Sequence, residues 1–254
     1  MNRQLSALLT RPDIWRSSAP HTGYHNGQYT VASGYHSLDA ALHQGGWPTQ
    51  ALTEILCNHP GSGELELLLP ATRKLCAKGR QLLFVSPPHQ PYAPALQQAG
   101  IAPEQVLVIQ PQTPADQLWT VEQALRADVA AALLVWPQQQ PDLAQLRKLQ
   151  LAAHSTQGLS LLMRPGQAAA ESSPAALRLR LEPGVKSCQI NILKQRGGWA
   201  GQVVELNLAE GLSAADISPA ELPVHRPVVA DSPSCNPPLL RPVSTPAAAP
   251  GWLH

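Results

Sequence analysis

The chemistry-bearing residues with the clearest spacing are Cys57-Asn58-His59-Pro60-Gly61-Ser62-Gly63-Glu64-Leu65, between an apolar run and a segment of helical period. A glycine-bearing turn from strand to helix aims backbone N–H groups and the positive helix end at one point, the geometry that cradles a polyphosphate. That chemistry also needs a lysine for the β- and γ-phosphates, followed by a Ser or Thr hydroxyl for Mg²⁺. Here those two places hold Glu64 and Leu65. Exchanging the cation for an anion reverses a term of about 4 kcal/mol at 4 Å, for an effective dielectric constant of about 20. A carboxylate at that place itself complements the helix end. Gly61, Ser62, Gly63 and Glu64 therefore read as a vestigial phosphate loop, and no cofactor is expected.

The other stations of a nucleotide hydrolase fail in the same way. The apolar run 130–136 ends in Trp136, where a metal-holding Asp would be needed. After the run 81–86 comes Pro87-Pro88-His89, and His89 without a metal or phosphate anchor reads as a loop residue. No G-x-S-x-G elbow, Ser/His/Asp set or carboxylate pair stands out, so the chain is not expected to be an enzyme. The four cysteines (57, 76, 188 and 235) form no C-x-x-C pair, so neither a metal site nor a disulfide framework is expected. A net charge of +1 excludes a polybasic nucleic-acid or membrane binder, leaving only local basic sites. With no apolar run long enough to span a bilayer and a polar start, the reading is a cytoplasmic protein.

The elements that must position the loop lie between two irregular ends. The 254 residues include 26 prolines, about twice the usual share of about 5%, and these crowd the segment after 213. Fixed φ angles and missing N–H donors at that density predict a disordered tail over 209–254. Residues 1–33 read as an irregular arm and 34–208 as the folded core. Within the core, short apolar runs at 51–56, 81–86, 106–109, 130–136 and 159–163 alternate with segments of 3.6-residue period. Leu65, Leu68, Leu69, Thr72, Leu75 and Cys76 make one helical stripe, and Leu143, Leu146, Leu149 and Ala153 another. Thr113 and Asp116 predict a capped helix start before Leu118, Val121 and Leu125. The runs 175–181, 187–194 and 202–208, separated by glycine-containing turns, predict antiparallel hairpins. The fold class is α/β, a doubly wound, mainly parallel sheet extended by antiparallel strands.

Several motifs in one order carry a family resemblance. They are Ser33-Gly34-Tyr35-His36-Ser37-Leu38-Asp39 with Gly45-Gly46-Trp47-Pro48, then Ala51-Leu52-Thr53-Glu54-Ile55-Leu56 and the glycine loop. Ser86 to Leu96, Leu149-Gln150-Leu151-Ala152-Ala153, Arg164-Pro165 and Ser173 to Leu181 follow. Over roughly residues 33–208 the chain resembles the ImuA family, RecA-like members of the bacterial SOS mutagenesis cassette. The middle portion is also similar to the cell-division inhibitor SulA. The first resemblance implies a RecA-like core without turnover. It also implies an accessory or scaffold role in error-prone translesion DNA synthesis, with ImuB (and its polymerase ImuC) as partner and RecA as a further one. The alternative is a SulA-like SOS inhibitor of division that binds FtsZ.

Partner-binding residues follow from the same comparison and from charge. Lys194 and Arg196 resemble the basic pair that RecA reaches across a filament interface. In the tail, Leu239, Leu240 and Trp252 are the apolar anchors of an extended segment suited to a partner groove. Arg164, Arg178 and Arg180 are candidates for weak, salt-sensitive DNA contact, because the loops 137–141 and 166–172 lack interleaved basic and aromatic residues.

Overall fold

The computed structural model describes residues 30–184 and 187–212; most of the 1–33 arm and of the 209–254 tail lies outside them. The core is a mixed α/β layer built on eight strands: β3 (Leu52–Cys57), β4 (Gln81–Val85), β5 (Val106–Ile109), β6 (Ala130–Val135), β7 (Leu159–Pro165), β8 (Leu177–Pro183), β9 (Cys188–Gln195) and β10 (Val203–Leu206). Their order is β10-β9-β8-β3-β7-β6-β4-β5. The pairings from β5 to β8 are parallel, and β8–β9 and β9–β10 are antiparallel. A separate two-stranded ladder joins β1 (Thr30–Val31) to β2 (Trp47–Pro48).

Strands buried on both faces read as near-continuous apolar runs, broken only where a polar side chain finds partners. Accordingly every residue of β3 and β6 is buried. One face packs on α1 (His36–Ala41), α2 (Glu64–Cys76) and α3 (Ala93–Gln98), through Leu38, Leu67, Leu68, Leu75 and Leu96. The opposite face packs on α4 (Pro114–Ala127) and α5 (Leu143–Ala153), through Val121, Leu125, Leu146 and Leu149. The strand alternation divides accordingly: Leu82 and Phe84 enter the first core, Leu83 and Val85 the second. Thr113 caps α4 by accepting from the Asp116 amide at 3.1 Å.

α2 contains a proline in its interior, Pro70. A proline has no N–H, so the carbonyl four residues back, that of Glu66, loses its helical donor. The Tyr35 hydroxyl lies 3.0 Å from that carbonyl and 3.2 Å from the Leu208 carbonyl, within donating reach of both. Burial, followed by the nearby Glu66 carboxylate, pushes the Tyr35 phenol above its ordinary range and keeps the donor protonated. Gly34 makes this brace possible: its φ is +94°, and a Cβ there would fall 2.4 Å from Pro70.

Candidate functional site

The carboxyl ends of β3, β7 and β6 are adjacent, so the turns that leave them meet at one edge of the sheet. That is where open α/β sheets bind ligands. The 58–63 turn and the loop after β7 touch directly: a Cβ on Gly166 would lie 2.2 Å from Asn58 Oδ1. Gly63 closes the turn at φ +96°, with no side-chain cap on α2. Instead Glu64 folds back, and its Oε1 accepts from the Gly61 amide at 2.7 Å. Glu64 is 3% exposed, and its Oε2 has no hydrogen-bond partner. Ser62 Oγ donates to the His59 carbonyl at 2.6 Å. The turn thus holds a carboxylate where the cradle would hold an external anion, and from Cys57 to Leu65 it supplies neither lysine nor arginine. Burial and then the Glu64 charge push the neighbouring Cys57 thiol up to about 11.

The rest of this edge is closed by packing. The turn Leu208–Leu212 lies against the start of α2, where Leu208 Cδ1 would be 2.6 Å from a Cβ on Gly63. Trp136 stacks on Phe84 with ring centroids 6.0 Å apart. Its carbonyl accepts from Gln117 Nε2 at 2.8 Å, and Gln117 Oε1 accepts from the Gln138 amide at 2.9 Å. One buried glutamine on α4 thereby fixes the loop after β6. His89 is exposed.

Residues 51–160 match the family model described as Cell division inhibitor SulA. The match begins just before β3 and ends at the second residue of β7, so it takes in the glycine turn, both layers of helices and the loop after β6. It leaves out the β1–β2 ladder, α1, all but two residues of β7, and the strands β8, β9 and β10. No curated protein matches the chain.

The three arginines read as DNA contacts occupy different environments. Arg164 has a fully buried side chain whose Nη1 is 3.5 Å from Glu54 Oε1, while its Nη2 donates to Glu171 at 2.6 Å and its Nε to Gln140 Oε1 at 3.1 Å. Arg178 is 7% exposed and donates from Nε to Glu54 Oε2 at 2.7 Å, and from Nη2 and Nη1 to the Ala168 and Glu171 carbonyls. Both guanidiniums are therefore engaged inside the protein and are not presented to a phosphate backbone. Arg180 remains 37% exposed, 3.3 Å from Glu182.

The sequence reading passed over Glu54, which organises this cluster. Its side chain is fully buried, and Oε1 also accepts from Ser173 Oγ at 2.5 Å. Across the sheet Glu54, Arg178 and Lys194 are successive register partners on β3, β8 and β9. A carboxylate inside the otherwise apolar Leu-Thr-Glu-Ile-Leu run was the available signal, since a fully buried strand retains a charge only with partners.

Lys194 and Arg196 do not act as one pair. The Lys194 ammonium donates to the Ser173 carbonyl at 2.7 Å, at the margin of the Glu54 cluster. Burial and then Arg178 depress its pKa, with Glu54 opposing. Arg196 lies beyond the end of β9, where its amide donates to the Ala176 carbonyl and its side chain is exposed. Leu239, Leu240 and Trp252 lie outside the described residues. Among the described residues no three His, Cys, Asp or Glu side chains are grouped to hold a metal ion, and no helix is long and apolar enough to cross a membrane.

Proposed function

We propose that the protein is a non-catalytic, partner-binding α/β module of the bacterial SOS response, working in the cytoplasm. The observation that carries this reading is the Glu64 carboxylate seated on the Gly61 amide at the start of α2. A turn that supplies its own anion, and no cation to meet another, keeps its shape without a nucleotide. Function then rests with surfaces that bind other proteins. The SulA match over residues 51–160 supports inhibition of cell division as the output, with FtsZ as the partner. The test is assembly of FtsZ with GTP in the presence of the full chain, alongside calorimetry with Mg-ATP. Reduced FtsZ polymer and no heat of ATP binding are expected. Unaffected FtsZ polymer removes the division reading, and tight magnesium-dependent ATP uptake removes the non-catalytic one.

A second reading has its own support. The ImuA-like motifs outside the matched stretch are built into the same core: Tyr35 braces α2, and Arg178 on β8 holds Glu54. The order β5-β4-β6-β7-β3-β8, with β9 and β10 antiparallel beyond it, supports a RecA-like winding. On this reading the chain is an accessory of error-prone translesion synthesis that binds ImuB with its polymerase ImuC, and RecA. Pull-downs with ImuB, RecA and FtsZ choose between the readings, and deletion from residue 213 onward tests Leu239, Leu240 and Trp252 as anchors. Retention of ImuB without FtsZ selects the translesion role. Direct DNA affinity is weak and falls with salt, because Arg164 and Arg178 are held by Glu54.

A further inference from the structure

A cavity of about 410 Å³ opens at the opposite edge of the sheet from the glycine turn. It is formed where the beginnings of β3 and β8 (Ala51, Ala176) meet the end of α1, the end of α5 and the turn after β9. That volume lies in the range of sites that enclose a small ligand or one or two side chains. Leu42, Pro48, Ala51 and Leu177 give it apolar walls. Outside the matched stretch lie Leu42, His43, Gln195 and Arg196, so the cavity depends on segments that the SulA match does not cover.

Among the described residues, polar contacts hold the walls of the cavity in place. Gln195 is 9% exposed; its Oε1 accepts from the His43 amide at 2.8 Å, and its Nε2 donates to the Trp199 carbonyl at 2.7 Å and the Ala41 carbonyl at 3.3 Å. This one side chain fastens the end of α1 to the turn after β9. The turn in turn requires glycine: Gly197 has φ +80°, and a Cβ on Gly198 would come 2.7 Å from both Gln195 and His43. On the far wall, Gln150 Oε1 accepts from the Leu52 amide at 3.1 Å, which directs its Nε2 toward His154 Nε2 at 3.3 Å.

The charge on this cavity has one sign. Arg196, at its rim, is exposed and makes no ion pair with any described residue, and no lining residue is acidic. We propose that this cavity is a docking site for an acidic peptide segment of a partner protein, which seats an apolar side chain between Leu42 and Leu177 and places the adjacent carboxylate on Arg196. The proposal is independent of whether FtsZ or ImuB is the physiological partner. A guanidinium–carboxylate contact is charge-assisted and supplies the specificity, and the apolar walls supply the area.

The test uses the full chain and the capped peptide acetyl-Gly-Asp-Leu-Gly-amide, with versions carrying asparagine or lysine in place of the aspartate. Binding is followed through the imidazole proton resonances of His43 and His154, with Arg196→Glu and Ala176→Trp as variants. The acidic peptide is expected to shift both resonances, about tenfold more weakly in Arg196→Glu and not at all in Ala176→Trp, and less as salt rises. Equal binding of the asparagine peptide, shifts unchanged in Arg196→Glu, or no response to the acidic peptide overturns the proposal. Arg196 is exposed, so its variant keeps the test decisive if filling the cavity at Ala176 disturbs folding.

Discussion

Replacing Glu54 by glutamine conserves the shape of the side chain and removes its charge. Arg164, fully buried, would then keep only the Glu171 carboxylate as counter-charge, itself 55% exposed, and Arg178, 7% exposed, only the Ala168 and Glu171 backbone carbonyls. The new amide would also turn N–H donors toward Arg164 Nη1 or Arg178 Nε, which are donors themselves. Breaking a buried ion pair from one side costs about 3–5 kcal/mol, a fifth or more of the about 5–15 kcal/mol that stabilises an ordinary domain. At about 2–4 °C per kcal/mol for a chain of this size, the midpoint should fall by roughly 6–20 °C. The register pairing of Glu54 with Arg178 permits a sharper test, because replacing both by leucine removes the Arg178 charge along with the pair and leaves only Arg164, which keeps Glu171. The double variant should be more stable than the sum of the single changes by about 2 kcal/mol or more. Urea unfolding followed by tryptophan fluorescence and by circular dichroism measures all four corners of the cycle. A loss below about 1 kcal/mol for Glu54→Gln, or strict additivity of the cycle, would refute the view that Glu54 holds the sheet and the 166–173 loop together.

The remaining predictions concern the brace, the thiols and an acidic side chain. Tyr35→Phe removes the donor to the Glu66 carbonyl that Pro70 leaves without a helical partner, and should cost about 1–3 kcal/mol in urea unfolding. Cys57 and Cys76 are buried, and burial pushes both thiols up to about 11, helped at Cys57 by Glu64. In a Cys235→Ser background, which removes the thiol outside the described residues and leaves Cys57, Cys76 and the likewise buried Cys188, a disulfide reagent at pH 8 should leave all three unmodified until urea is added; rapid native-state reaction of any of them would contradict this. At Asp128, burial raises the pKa, but the Arg80 guanidinium, the Gln157 amide and the Thr156 hydroxyl outweigh it, so the carboxyl titrates below its ordinary value. Its folded pKa is depressed, so its contribution to stability is present above the unfolded value of about 3.9 and is lost as pH falls through the lower folded value. Asp128→Ala should therefore destabilise the protein at pH 7, and the difference from wild type should shrink as the pH is lowered through 4 toward 2 in a series of urea melts.

Much of the sheet was legible because its signals are local. The apolar run 106–109 coincides with β5, and 130–136 overshoots β6 only by Trp136, whose ring packs on Phe84 while its backbone turns to meet Gln117. The stripe that begins at Leu65 became α2 with Pro70 inside it, a position that propensity disfavours and that a tyrosine thirty-five residues from the start makes tolerable. Short elements were not legible: α1 and the β1–β2 ladder have too few residues for a period to show and are held by packing on Leu38 and Trp47.

The order of residues alone determined the alternation of strands and helices, the antiparallel extension and the exchange of a cation for Glu64, because each is written in neighbouring side chains. Only the tertiary structure decided what the charges do. Arg164 and Arg178 look like surface cations in a list of residues, yet parallel pairing of β3 with β7 and β8 brings both onto one buried carboxylate. Lys194 and Arg196 stand two apart in the chain, and the end of β9 sends one to the Glu54 cluster and the other to a cavity lined by segments from four parts of the chain. Burial and partnership are long-range properties, fixed by which strands lie side by side.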